Sequence, residues 1–328
     1  MSSTSVPSPS LRFLFVAAGL LLPASSLAGR GSGVLEGESG IPKKVTSAFP
    51  ACGFCHGSGF PNERGKVTVK ISSPRSLTLN GTMKATISLL GGVTNSTRGG
   101  FSLDSSGGIL TRGTNTRVGN SGLSITHVNS LSRSWTFSFK GTKAGLVTWT
   151  CVGNTVDGNG RNTGDSWGWY GPNSGLPGVP YRIFVDAAGV TPFGRACAGT
   201  GGFRPLAGIA TTPTIGKSFQ LEIHEVPPAT AVLGFLGFSD KRWAGLPLPL
   251  PLTGLGARGC ILLTGLDIVQ IGVSKGAGPG NGVARFTWAI PNNPSLRNLA
   301  LFFQALVVDK TANKLGMTAS NAVKTVLR

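Results

Sequence analysis

The chain has 328 residues, enough for one large domain or two ordinary ones, and carries 30 basic against 12 acidic residues for a formal charge of +18. Only 13% of residues are charged, while glycine stands at 50 and proline at 21. This composition excludes a helical bundle, a coiled coil and a barrel of long helices, and the 40% hydrophobic content excludes a wholly disordered chain, so a mostly β protein with many Gly-rich turns remains.

Residues 1–28 read as a secretory signal peptide. Arg12 gives a small positive start, the apolar run Phe13–Pro23 is too short to span a membrane, and Ser26-Leu27-Ala28 supplies small residues for cleavage. A retained anchor helix is the competing reading. The apolar run Leu246–Leu252 holds three prolines and cannot form a regular helix. The expected protein is exported (secreted, periplasmic or held at the cell surface), with no transmembrane segment after cleavage. Residues 29–50 form a loose lead-in.

Next stands Cys52-Gly53-Phe54-Cys55-His56, the C-x-x-C-H spacing of covalent haem c attachment. Two thiols one helical turn apart can each reach a vinyl group, and the next residue then lies under the iron. A redox or structural disulfide and half of a zinc site use the same pair. The haem reading assigns Cys52, Cys55, His56 and His127 to one haem c, with His56 and His127 as iron ligands. In Leu123–Val128 read as a strand, His127 shares a face with Leu123 and Ile125. A hydrogen-bonded core histidine is the bland reading there. Met83 competes as sixth ligand, although core packing is its default. His224 falls on the polar face of Ser218–His224 and reads as surface.

Period-2 alternation then predicts strands. Val67, Val69 and Ile71 alternate with polar residues; so do Met83 to Leu89, Trp135 to Phe139, and Val147 to Cys151. Cys151, inward beside Trp149, reads as a buried thiol and is the candidate for the odd cysteine among five. Gly153–Asp165 begins like a calcium loop, but Arg161 occupies a ligand position and a rigid Asx-turn loop is the simpler reading. Trp167, Trp169 and Tyr170 follow. Residues 176–194 read as a Gly/Pro-rich linker, and a second β region covers 195–328, where Cys197 and Cys260 are expected to pair. The expected architecture is all-β: two β-sandwich domains, 51–175 and 195–328, the first preceded by the short C-x-x-C-H segment.

The basic residues are scattered, with no aromatic interleaving, which argues against nucleic acid. An acidic redox partner or an anionic cell-surface polymer fits the charge. No nucleophile–base pair or phosphate loop stands out, so an electron carrier is favoured over an enzyme.

From Cys52–His56 through Leu123–Val128 and Trp135-Thr136-Phe137 to Gly153–Gly160 and Gly164-Asp165, the chain resembles the Reeler-like, choice-of-anchor β-sandwich family of bacterial surface proteins. That resemblance implies a sandwich behind the C-x-x-C-H motif and His127 as the distal partner of His56. The chain departs from the family's pattern at Thr150-Cys151-Val152. Residues 195–328 resemble a C-terminal β module of secreted planctomycete-type proteins, on Gly194–Thr200, Trp243–Leu250, Gly259-Cys260 and Ala289–Pro294. The expected function is electron transfer by an exported c-type haem protein. The alternative is a non-catalytic surface or adhesion β-sandwich protein in which C-x-x-C is a structural disulfide.

Overall fold

The computed structural model describes residues 67–161, 163–171 and 179–328. The expected signal peptide, the lead-in and Cys52, Cys55 and His56 lie outside the described residues. The described chain is all-β apart from short 3-10 turns.

The first region holds β1 (Val67–Ser72), β2 (Ser76–Thr78), β3 (Thr82–Gly91), β4 (Arg98–Ser105), β5 (Ile109–Thr111), β6 (Thr116–Gly119), β7 (Ser124–His127), β8 (Ser134–Lys140), β9 (Gly145–Val156), β10 (Ser166–Trp169) and β11 (Tyr181–Asp186). One sheet runs β1-β3-β8-β5; the other runs β2-β11-β9-β4-β7-β6, with β10 added to β9. The alternation that marked these strands in the sequence reappears as register. Met83 opposes Phe139, Ala85 opposes Phe137 and Ile87 opposes Trp135 across β3 and β8. These side chains meet Leu103, Ile125, Val147, Trp149 and Ile183 of the other sheet in one hydrophobic cluster. Met83 is therefore a core residue, and so is Cys151. Trp167 and Trp169 pack with Val152 on the opposite face of β9, which explains why β9 is buried on both sides from Cys151 to Thr155.

The second region holds β12 (Val190–Phe193), β13 (Leu206–Gly208), β14 (Ser218–Val226), β15 (Ala231–Gly237), β16 (Arg242–Trp243), β17 (Leu246–Pro247), β18 (Leu250–Pro251), β19 (Ile261–Leu262), β20 (Ile268–Val273), β21 (Gly282–Ala289), β22 (Ala300–Val308), β23 (Met317–Ala319) and β24 (Ala322–Val326). Its main sheet runs β12-β24-β22-β15-β20 and a smaller one runs β13-β14-β21. Phe219, Leu221 and Ile223 of the small sheet meet Val232, Phe303, Ala305 and Val323 of the large one in a second core. The large sheet's other face is covered by the 240–262 segment, which Cys197–Cys260 ties down over Phe235 and Leu306. The expected bridge is thus present.

The expected 176–194 linker contains β11 and β12, so the chain passes from one region to the other at 187–189 with both flanking strands built into sheets. All six residues of β11 are buried. Its alternation gives the reason. Tyr181, Ile183 and Val185 enter the first core. The intervening Arg182, Phe184 and Asp186 face the second region: Arg182 donates to Gly280 O and Asn281 Oδ1, and Asp186 Oδ1 accepts from the Ile209 N–H at 2.8 Å. Phe184 packs on Gly208, where even a Cβ would come within 2.0 Å of its ring.

Burial pushes the Asp186 carboxyl well above its ordinary value, and the Ile209 N–H opposes this only in part. A carboxyl raised on folding contributes its stability below the unfolded value and loses it as pH climbs toward the folded one. Asp186→Asn keeps the acceptor for Ile209 and removes the buried charge. Thermal melts should show the variant more stable than the native chain at about pH 7, with the gap closing below about pH 4. A constant gap across that range would contradict the assignment.

Candidate binding cleft

Where the two regions meet, a cleft of about 1040 Å³ opens. One wall comes from β1 and the turn after it, with Lys70, Ser73 and Arg75, joined by Lys84 of β3. The facing wall comes from the segment after β12, with Arg195 and Arg204. Tyr170, Tyr181 and Glu225 are also part of the lining.

Glu225 owes its position to a break in β14. The ladder with β21 pairs His224 with Val283 and Val226 with Gly282, which leaves Glu225 as an extra residue. Its φ of 57° lies in the left-handed region. The side chain leaves the alternation and accepts from Arg75 Nη2 at 2.5 Å, with Arg182 Nη1 at 3.7 Å. Arg75 also donates from Nε to Arg182 O at 3.1 Å and lies over the Tyr181 ring at 5.4 Å. Burial alone would lower the Arg75 pKa, but the Glu225 carboxylate more than offsets it and the value is raised. For Arg182 burial prevails and the value falls. Burial raises both Tyr170 and Tyr181, the latter against a hydrogen bond from Ser73. The tyrosines are therefore held neutral, and Glu225, the one carboxylate among the described lining residues, is neutralised by guanidinium groups. Lys70, Lys84, Arg195 and Arg204 remain exposed at the rim, so the cleft presents positive charge. A smaller pocket of about 310 Å³ shares Phe203, Pro205 and Glu225 with it.

The site expected from the sequence lies elsewhere. His127 ends β7 inside the first region, with its Nδ1 accepting from the Phe101 N–H at 3.0 Å. Its Cε1–Nε2 edge lies on Gly100 so closely that a Cβ there would fall 2.4 Å from the ring. Phe101 and Trp135 flank it at 6.2 and 6.0 Å between ring centroids. Among the described residues no group of three or more His, Cys, Asp or Glu side chains could hold a metal ion. Of the cysteines there, Cys197 and Cys260 form a conventional disulfide, and Cys151 belongs to the core. The haem c cofactor, its iron and the electron-transfer function are corrected accordingly. The 157–165 loop is an Asx turn: Asp157 Oδ1 accepts from the Asn159 N–H and Asn159 Oδ1 from the Arg161 N–H.

His224 also departs from expectation. It is buried, not surface, because Phe184 of the first region covers it at 5.8 Å between ring centroids. Its Nε2 stands 3.1 Å from Glu222 Oε2, a hydrogen bond that holds the Glu222 carboxyl below its ordinary range.

No protein-family model matches the chain, and no curated protein matches it either. The resemblance to Reeler-like and planctomycete-type modules is corrected to what the structure supports: an all-β protein with the long-range Cys197–Cys260 disulfide.

Proposed function

We propose that the chain is an exported, non-catalytic surface protein whose two β-sandwich units hold an anionic polysaccharide in the cleft between them. In this reading the first unit ends with β11, the second begins with β12, and buried polar contacts lock them together. One observation carries it: four exposed cations, Lys70, Lys84, Arg195 and Arg204, ring a cleft in which Glu225, the one carboxylate among the described lining residues, is already neutralised. The buried charges nearby are committed to holding the two units in register, which supports a binding surface over a reaction centre. The cations are spread over two facing walls without exposed aromatic platforms between them, a pattern that suits a carboxylated sugar chain better than stacked bases.

The test is equilibrium binding of the full chain to polygalacturonate at increasing salt. Binding should weaken as salt rises, and the triple variant Lys70→Glu, Lys84→Glu, Arg195→Glu should lose about tenfold or more, roughly 1.4 kcal/mol. Lys310→Glu, exposed and outside the cleft lining, serves as the control. Equal losses from both variants, or equal affinity for duplex DNA, would refute a cleft built for this ligand.

A further inference from the structure

The pocket of about 310 Å³ beside the cleft is lined by the second region, and Phe203, Pro205, Pro227, Pro228 and Pro279 give it an apolar wall. Its volume stands at the lower end for small-molecule sites. Asp309, the residue after β22, belongs to the same lining and is only 6% exposed. Its Oδ2 accepts from the Thr200 N–H at 2.8 Å and its Oδ1 from the Thr200 hydroxyl, both neutral donors. Among the described residues no Lys, Arg or His forms an ion pair with it. Lys310, next in sequence, is exposed. Arg182, which donates to Gly280 O in the pocket wall, has Glu225 as its carboxylate. Buried carboxylates ordinarily have a cation beside them. Thr318, opposite Val307 in β23 and 1% exposed, adds to the lining a hydroxyl without a hydrogen-bond partner among the described residues. Two lining glycines let the backbone close in: a Cβ at Gly199 would fall 2.5 Å from Asp309 Oδ2, and one at Gly280 2.3 Å from the Phe203 ring.

We infer that this pocket binds a small organic amine, a primary ammonium on a compact apolar body, with Asp309 as its counter-ion. The prolines and Phe203 take the body, and the ammonium supplies the cation that the buried carboxylate lacks. The charge selects the ligand: an anion would meet Asp309, and a neutral molecule would leave it unpaired. The pocket thus differs in sign from the neighbouring cleft, although the two share Phe203, Pro205 and Glu225.

Calorimetric titration of the full chain with phenethylammonium should give a Kd of about 1 mM or tighter. Phenethyl alcohol, the same body without the charge, should bind about tenfold or more less tightly, and hydrocinnamate less tightly again. Nα-acetyl-lysine methylamide offers the ammonium as a partner protein would. Its polar amides suit the apolar wall poorly, so it should bind less tightly than phenethylammonium. Asp309→Asn keeps hydrogen bonding to Thr200 and removes the charge, and it should bring the ammonium down to the level of the alcohol. Thermal melts report whether this variant keeps the fold; if it does not, the ligand series on the native chain decides. No binding at about 10 mM, equal affinity for ammonium and alcohol, a folded Asp309→Asn variant that keeps the preference, or tighter binding of the lysine amide would overturn the inference. None of these outcomes depends on the cleft's ligand.

Discussion

Replacing Glu225 by alanine should destabilise the protein by about 3–5 kcal/mol, the usual effect of removing one partner of a buried ion pair. The carboxylate stands between Arg75 of the first region and Arg182 of β11, and its loss leaves two guanidinium groups with uncompensated charge in the interface. Alanine adds no backbone strain of its own at a φ of 57°, since glutamate already bears it. Glu225→Gln should fall between, keeping an acceptor for Arg75 without the charge. Denaturant unfolding measures both. A loss below about 1 kcal/mol for the alanine variant would place this contact among ordinary surface pairs.

The second large effect is expected at the disulfide. Cys197 and Cys260 are 63 residues apart, and opening a loop of that length costs about 4 kcal/mol on the chain-entropy account. The bridge lies in the cluster of Phe235, Leu248, Leu252 and Ala319, so its loss also loosens the cover over the large sheet's outer face. The double variant Cys197→Ala, Cys260→Ala should unfold at lower denaturant than the native chain. Native protein whose midpoint does not move on reduction would contradict this role.

The fold was legible where one face of a strand is buried and the other wet. Val67, Val69 and Ile71, or Trp135, Phe137 and Phe139, show their period directly, and the structure buries those residues. Alternation failed where a strand is buried on both faces. In β11 the second face carries Arg182, Phe184 and Asp186, so a strand linking two cores read as linker. His224 reads as surface in the sequence for the same reason, because the neighbour that covers it comes from the other region. Glu225 left a trace: Phe219, Leu221 and Ile223 set a phase that calls for an apolar residue at 225, and Val226 supplies it one position late. That slip marks the bulge. Arg75 and its partners left no comparable trace, since their pairing depends on the packing of two sheets far apart in sequence. The C-x-x-C-H spacing drew attention to His127, whose surroundings in the fold are the Phe101 amide, Gly100 and Trp135.

Hydrogen–deuterium exchange of the full chain, with and without polygalacturonate, tests the proposed polysaccharide binding most directly. Added polymer should slow exchange on both walls together, in β1 with the turn through Arg75 and in the segment from Gly194 to Arg204. Strand β20, outside the cleft lining, should stay unchanged. Protection on one wall alone, or centred away from the cleft, would contradict a ligand held between the two units.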